Sequence, residues 1–198
     1  MIPISLCIIT KNEADYLNKC LSYVKDYNFE LVVVDTGSED RSLEIARTYT
    51  DHVYSFSWVN DFSAARNYAV SKAANDWILF LDTDEYVYEL DVQGLLAFTE
   101  AHPTAIGEIL LTSTDAGGAT AIERLGRFFN RKHYRYERPV HEQLVPISKT
   151  GKSSCYPVPV AVNHVGYSGD KTQLAKKANR NLELLLASLT DYPDAYTY

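Results

Sequence analysis

Apolar and polar positions fall in blocks along the first half of the chain. Ile4-Ser5-Leu6-Cys7-Ile8-Ile9, Leu31-Val32-Val33-Val34, Val53 to Trp58 and Trp77-Ile78-Leu79-Phe80-Leu81 are short, largely β-branched or aromatic runs that predict four strands. Between them, residues 15–25 carry Leu17, Leu21 and Val24 at helical spacing, with Asp15 as the expected N-cap. Thr36-Gly37-Ser38-Glu39-Asp40 turns the chain into a second helix through about Tyr49, and residues 62–74 read as an Ala-rich third. Runs that are apolar without alternation belong to strands buried on both faces. The pattern therefore predicts an α/β fold, a mostly parallel central sheet with helices on both faces. In such sheets ligands bind beyond the carboxyl ends of the strands.

The second half changes character. A helix near 91–101 precedes Ile109-Leu110-Leu111, the Gly117-Gly118 turn and strand-like pieces around 121–129, 134–136 and 143–147, which predict a smaller mixed or antiparallel part. Residues 172–189 form an amphipathic helix with Leu174, Ala178, Leu182, Leu185 and Leu189 on one stripe. Tyr192-Pro193-Asp194-Ala195 looks like the entry to a further helix, so 171–198 is expected to open a truncated helical region whose apolar stripe supports a dimer.

Composition narrows the partners. At 198 residues with a net charge of −7, the chain lacks the surplus of Lys and Arg that sequence-independent nucleic-acid binding needs. No apolar run approaches the roughly 20 residues that span a bilayer. Met1-Ile2-Pro3 leads directly into a strand-like run rather than a signal peptide. Cys7, Cys20 and Cys155 are odd in number and lack CxxC spacing, against a disulfide scaffold or Cys-rich zinc site, so the expected location is cytoplasmic.

Several chemistries can be set aside. The loop after the first strand, Thr10-Lys11-Asn12-Glu13, has no glycine for a dinucleotide fingerprint. Gly151-Lys152-Ser153 fails as a P-loop because the required earlier glycine falls on Pro146, and no GxSxG occurs. Asp82-Thr83-Asp84-Glu85 is more informative, because it follows five apolar residues. In extended backbone, residues i and i+2 project to one side, so Asp82 and Asp84 can share a ligand. Two hard oxygen donors suit Mg²⁺ or Mn²⁺, with phosphate oxygens completing the shell; the alternative is a solvated turn. Asp35, at the end of the second strand, can accept from a base or ribose, or can form the turn at Thr36-Gly37-Ser38. Asp40 reads as a cap.

Ile8-Ile9-Thr10-Lys11-Asn12-Glu13, Val33-Val34-Asp35-Thr36-Gly37-Ser38-Glu39-Asp40, Asp61-Phe62-Ser63-Ala64-Ala65-Arg66-Asn67 and Trp77 to Glu85 occur in that order. Together they resemble the family 2 glycosyltransferases, which have the GT-A nucleotide-diphospho-sugar transferase fold. The likeness is strong over 3–90. It continues more loosely through His141-Glu142-Gln143, His164-Val165-Gly166-Tyr167 and Lys177 to Leu182, which resemble a bacterial branch often followed by tetratricopeptide-like repeats. The implied organisation is a GT-A domain over 1–170, with a nucleotide-binding half (1–90) and an acceptor half (91–170), and a C-terminal helix over 171–198.

The resemblance implies that Thr10, Asn12, Glu13 and Asp35 hold the nucleoside, and that Arg66 lies near the base or diphosphate, a surface salt bridge being its alternative. It implies that Asp84 ligates the metal and that Asp82 contacts ribose or metal. His164 matches a C-terminal histidine that ligates metal in several such enzymes, with a core histidine as the alternative. Glu142 is the expected base, or else a surface carboxylate beside Arg138, with Asp115 and Glu85 in reserve. The Arg124–Arg138 segment opposes the global charge. It reads as a positive flap over the diphosphate, with Arg127 and Arg131 in contact, or as a solvated hairpin. The implied activity is metal-dependent, inverting transfer from a nucleotide sugar, UDP-linked by expectation, with Mn²⁺ or Mg²⁺ as cofactor and a glycan, lipid-linked or peptide acceptor. A sugar nucleotidyltransferase and a non-catalytic nucleotide- or glycan-binding module are the alternatives.

Overall fold

The computed structural model describes residues 2–114, 117–148, 153–166 and 171–188, with the side chains of the last segment described from Asn179 to Ala187. The expected alternation opens the chain: β1 (Ile4–Thr10), α1 (Ala14–Val24), β2 (Glu30–Asp35), α2 (Ser42–Tyr49), β3 (Val53–Ser55), α3 (Phe62–Lys72) and β4 (Trp77–Phe80). There follow β5 (Glu85–Leu90), α4 (Val92–Ala101), β6 (Ile106–Thr114), β7 (Thr120–Asn130), β8 (Tyr134–Glu137), β9 (Gln143–Pro146), β10 (Cys155–His164) and α5 (Lys171–Ser188).

Eight strands form one sheet in the order β3-β2-β1-β4-β7-β6-β10-β5, while β8 and β9 form a separate antiparallel pair. β3, β2, β1 and β4 are mutually parallel. β7 then pairs antiparallel to β4 and to β6, and β10 runs parallel to β6 and antiparallel to β5. The apolar run of β2 is buried at all six positions, as a strand covered on both faces requires. One apolar layer, including Leu6, Ile8 and Val33, packs against Leu17 and Leu21 of α1 and Leu95 of α4. The other, including Cys7, Val34 and Phe80, packs against Ala69 of α3 and Tyr134 and Tyr136 of β8.

The chain leaves β1 toward β2 on one side and returns to β4 on the other, so the strand order reverses between β1 and β4. Side chains at the carboxyl ends of these strands border a crevice there. Register sets Thr10 beside Asp35. The Thr36 N–H (2.9 Å) and hydroxyl (3.1 Å) both donate to the Thr10 carbonyl, which pins the first two loops together.

Three expectations change. Asp15 does not cap α1; Asp40 Oδ2 accepts from Ala14 N at 3.0 Å while its Oδ1 accepts from Ser42 N at 2.9 Å, so one carboxylate serves two helix starts. Residues 124–138 are not a flap: β7 is an interior strand between β4 and β6 and leads into β8. Among the described side chains of α5, Leu184 is buried and Leu185 half-buried, whereas Leu182 and Leu186 are exposed, so of the expected stripe Leu185 turns to the protein and Leu182 does not. Of that stripe, Leu174, Ala178 and Leu189, like Asp115, lie outside the described residues or side chains.

Candidate active site

A cavity of about 820 Å³ opens along the carboxyl ends of the strands. Thr10 and Thr36 border it at β1 and β2, Asp82 and Asp84 after β4, Arg127 on β7 and His164 on β10. Neighbouring strands lie ~4.8 Å apart, so from β2 to β10 the cleft crosses roughly 24 Å of sheet.

Arg66 and Arg127 organise the floor. α3 presents Arg66, and its start is fixed by Asp61, whose Oδ1 accepts from Ala64 N at 3.0 Å. Arg66 Nη2 lies 2.8 Å from Asp82 Oδ1, and Arg66 Nε donates to Glu142 Oε1 at 2.6 Å. Its guanidinium stands 4.6 Å over the Phe80 ring. Arg127 Nη2 reaches Asp82 Oδ2 at 2.7 Å and Glu85 Oε1 at 3.0 Å. A bulge aims it: Gly107 pairs with Phe128 and Glu108 with Gly126, leaving Arg127 as the extra residue of β7. Burial alone drives the Asp82 carboxyl upward, but Arg127 and Arg66 outweigh it and hold the pKa well below the usual carboxylate range. Glu85 is pushed up to about 7, first by burial and then by Asp82 and Asp84, with Arg127 pulling the other way.

Four polar atoms remain without a hydrogen-bond partner among the described residues: Thr10 Oγ1, Arg66 Nη1, Arg127 Nε and Tyr136 Oη. All four residues line this cavity. Buried polar atoms are rarely left unpaired, so their concentration around one space points to a polar ligand rich in acceptors.

Asp84 and His164 meet at the other wall, with His164 Nε2 3.4 Å from Asp84 Oδ2. The hydrogen bond to Asp84 raises the imidazole pKa above its ordinary value despite burial, helped by the charges of Asp84, Glu85 and Asp82. A Cβ at Gly166 would stand 2.1 Å from Asp84 Oδ2 and 3.0 Å from His164 Nε2, so glycine keeps this corner open. Among the described residues no group of three His, Cys, Asp or Glu converges into a closed metal cage. The pair still fits a divalent cation that draws its remaining ligands from water and phosphate, the habit of Mg²⁺ sites. Asp82 fits that role less well, since both its oxygens are held by arginines.

The family described as Glycosyl transferase family 2 matches residues 5–156. The chain belongs to this family. Its relatives include a TPR repeat-containing protein of Synechococcus elongatus, 38% identical over 99% of this chain and 50% of that protein. The SPbeta prophage-derived glycosyltransferase SunS of Bacillus subtilis is 29% identical over 89% of this chain and 43% of that one. The chain thus spans about half the length of the curated relatives it matches. Crystal structures of S. aureus TarS, free and in complex with UDP or UDP-GlcNAc, superpose with a TM-score of 0.50 at 25% identity, covering 59% of this chain; residues 1–349 of TarS are covered to 37%. The architecture is accordingly the GT-A type.

In this family 2 chain, Thr10, Glu13, Arg66, Asp82, Asp84, Arg127, Glu142 and His164 all border the one cavity. Asn12, Asp35 and Arg131 do not. Asn12, at φ 53°, ties the first loop to the second: its N–H donates to Ser38 Oγ at 2.8 Å and its Oδ1 accepts from Glu39 N at 2.7 Å. Asp35 accepts from the Gly37 and Ser38 N–H groups at 3.0 Å, which is the turn role. Arg131 sits at the opposite, amino end of β4, donating to the carbonyls of Val70 (3.3 Å) and Ala73 and lying 3.6 Å from Asp76. Glu142 is no surface carboxylate beside Arg138; its partner is the buried Arg66, 76 residues away. Glu13 accepts from the Thr83 hydroxyl. Tyr136, Trp58, Phe62 and Arg180 of α5 also line the cleft. Phe62 lies in the Asp61–Asn67 run and Arg180 in the Lys177–Leu182 run that carry the family resemblance, but the sequence assigns no role to any of the four.

Proposed function

We propose that this domain transfers a sugar from a UDP-sugar to an acceptor hydroxyl, with inversion at the anomeric carbon and with bound Mn²⁺ or Mg²⁺. The observation that carries this reading is the Asp84–His164 pair over Gly166, set across one cavity from the unpaired polar atoms of Thr10, Arg66, Arg127 and Tyr136. Family membership supports sugar transfer over nucleotidyl transfer or simple binding, and the likeness to TarS, which was crystallised with UDP-GlcNAc, supports a UDP donor.

Asp84 and His164 would hold the cation, which would supply positive charge to stabilise the departing nucleoside diphosphate. Thr10 and Thr36 meet the nucleoside end. The acceptor hydroxyl oxygen attacks the anomeric carbon; the bond from that carbon to the diphosphate oxygen breaks with its electron pair on the diphosphate. Glu142 takes the hydroxyl proton, a role that contributes about 10²- to 10⁴-fold. Arg66 orients Glu142 through its 2.6 Å bond and screens it from Asp82. Arg127 fixes Asp82 and Glu85 beneath the reacting centre.

The test combines calorimetry of UDP binding, with Mn²⁺ and with EDTA, and a screen of nucleotide-sugar hydrolysis. Metal-dependent UDP binding and hydrolysis are expected, both lost in Asp84→Ala. Full hydrolysis by that variant with EDTA present sinks the metal role; an absence of UDP binding under any condition sinks the donor assignment.

A further inference from the structure

The cavity continues past the reacting centre into a region of different chemistry. With Tyr136 and Gln143 as its nearest polar neighbours, one part of its lining carries no charge: Ile106, Leu125, Gly126, Leu144 and Cys155. These residues come from four strands. Cys155 of β10 pairs in register with Ile106 of β6. Gly126 of β7 lies over Ile106, where an added Cβ would meet Ile106 Cγ2 at 2.8 Å and Leu144 Cδ1 at 4.0 Å. Leu144, on β9, pairs with Tyr136 of β8. These residues border the cavity as a slot between the large sheet and the β8–β9 pair, and the missing side chain at 126 lets Ile106 pack where a Cβ would stand. Glu142 stands two residues before Leu144, so the slot begins beside the group assigned as base.

We propose that this slot is the acceptor subsite and that it takes an apolar group, a few methylenes or one aryl ring in size, carried next to the acceptor's reacting hydroxyl. The inference rests on the UDP-sugar reading of the polar end. A sugar acceptor would bring hydroxyls on every face and needs hydrogen-bonding partners around it. The five residues here offer instead aliphatic carbon, a bare backbone and a thiol. The polar half of the cleft serves the donor, and the apolar half is placed where the nucleophile has to enter.

Cys155 provides a direct probe. It is the exposed cysteine of the three, while Cys7 and Cys20 are buried. Labelling by N-ethylmaleimide, followed by intact mass with UDP and Mn²⁺ present, reads access to the slot. n-Butanol, n-hexanol, n-octanol and benzyl alcohol are expected to slow the labelling of Cys155. The half-protecting concentration should fall about fourfold per added methylene (~0.8 kcal/mol each) until the slot is full. Leu144→Asp should abolish that chain-length dependence. Stronger protection by benzyl alcohol than by hexanol assigns the group as aryl, the reverse as alkyl. Labelling that ignores the alkanols, that glycerol slows as well as hexanol does, or whose chain-length dependence survives in Leu144→Asp overturns the proposal. Labelling of Cys7 or Cys20 reports unfolding and sets the usable alkanol range. UDP binding measured on the same sample separates the two readings: its loss removes the donor assignment and leaves the alkanol response to stand or fall alone.

Discussion

Gly166→Ala is the sharpest probe of the corner where Asp84 meets His164. The backbone at 166 is not in the left-handed region, so the added methyl is the whole perturbation. That methyl would lie 2.1 Å from Asp84 Oδ2, and the carboxylate has to retreat about 1.3 Å to regain an ordinary 3.4 Å contact. The retreat cannot be made through His164, whose Nε2 would itself be only 3.0 Å from the new Cβ. A misplacement of about 1 Å at a reacting centre can cost roughly 10²-fold in rate, equivalent to about 2.7 kcal/mol. Donor hydrolysis in Gly166→Ala is therefore expected to fall about 100-fold, with the Mn²⁺ concentration for half-maximal rate rising. UDP affinity by calorimetry at saturating Mn²⁺ should change little, because Thr10 and Thr36 lie on the far side of the cleft. Thermal denaturation guards against a folding artefact: overpacking costs ~1–3 kcal/mol, a drop of a few degrees in a chain of this size. A folded variant with unaltered Mn²⁺ dependence and rate would show that Asp84 and His164 do not hold the cation.

Three further outcomes test the charge network. Glu142→Gln keeps an oxygen for Arg66 Nε but cannot take a proton, so kcat for transfer should drop about 10²- to 10⁴-fold while UDP affinity is retained, as stopped assays and calorimetry would report. Arg66→Met leaves Glu142 and one oxygen of Asp82 unpaired around a side chain only 5% exposed; a loss of about 3 kcal/mol is expected, read as a melting temperature lower by about 6–12 °C. Burial, with the charges of Asp82 and Asp84, pushes the Glu85 carboxyl up to about 7 from an ordinary 4.5. The native state therefore binds more protons between those values, and its stability should fall as pH rises through that window, by up to about 1.4 kcal/mol per pH unit. Urea unfolding at pH 5 and pH 8 measures the difference, and Glu85→Gln should remove it.

The local pattern carried much of this molecule. β1, β2 and β4 were legible because strands buried on both faces are continuous apolar runs, and Asp82 and Asp84 because they directly follow such a run, whereas Thr10 was marked only by the family resemblance. Arg66 came into view only through the family resemblance carried by Asp61 to Asn67. Elements whose identity depends on neighbours were not legible. β10 contains Pro157 and Pro159, which argue against an interior strand, yet it lies between β6 and β5. Pro157 still pairs with Glu108, and an irregular register between Pro157 and Ala161 takes Pro159 out of the β6 ladder. β5 follows the acidic turn so closely that Glu85 reads as part of a loop, although it is a buried strand residue.

Side-chain duty escaped the sequence for a related reason. A carboxylate after a strand can bind ribose or close a turn with equal ease, and only the positions of the Gly37 and Ser38 N–H groups decide for Asp35. The basic residues of 124–138 look alike in a row, but the bulge at Arg127 turns one into the site while Arg131, at the end of the same strand region, reaches the opposite edge of the sheet. Periodicity and composition report which residues share a face of their own element. Which charges meet across 45 or 76 residues is set by the order in which strands join the sheet, and that order is a property of the whole packed chain.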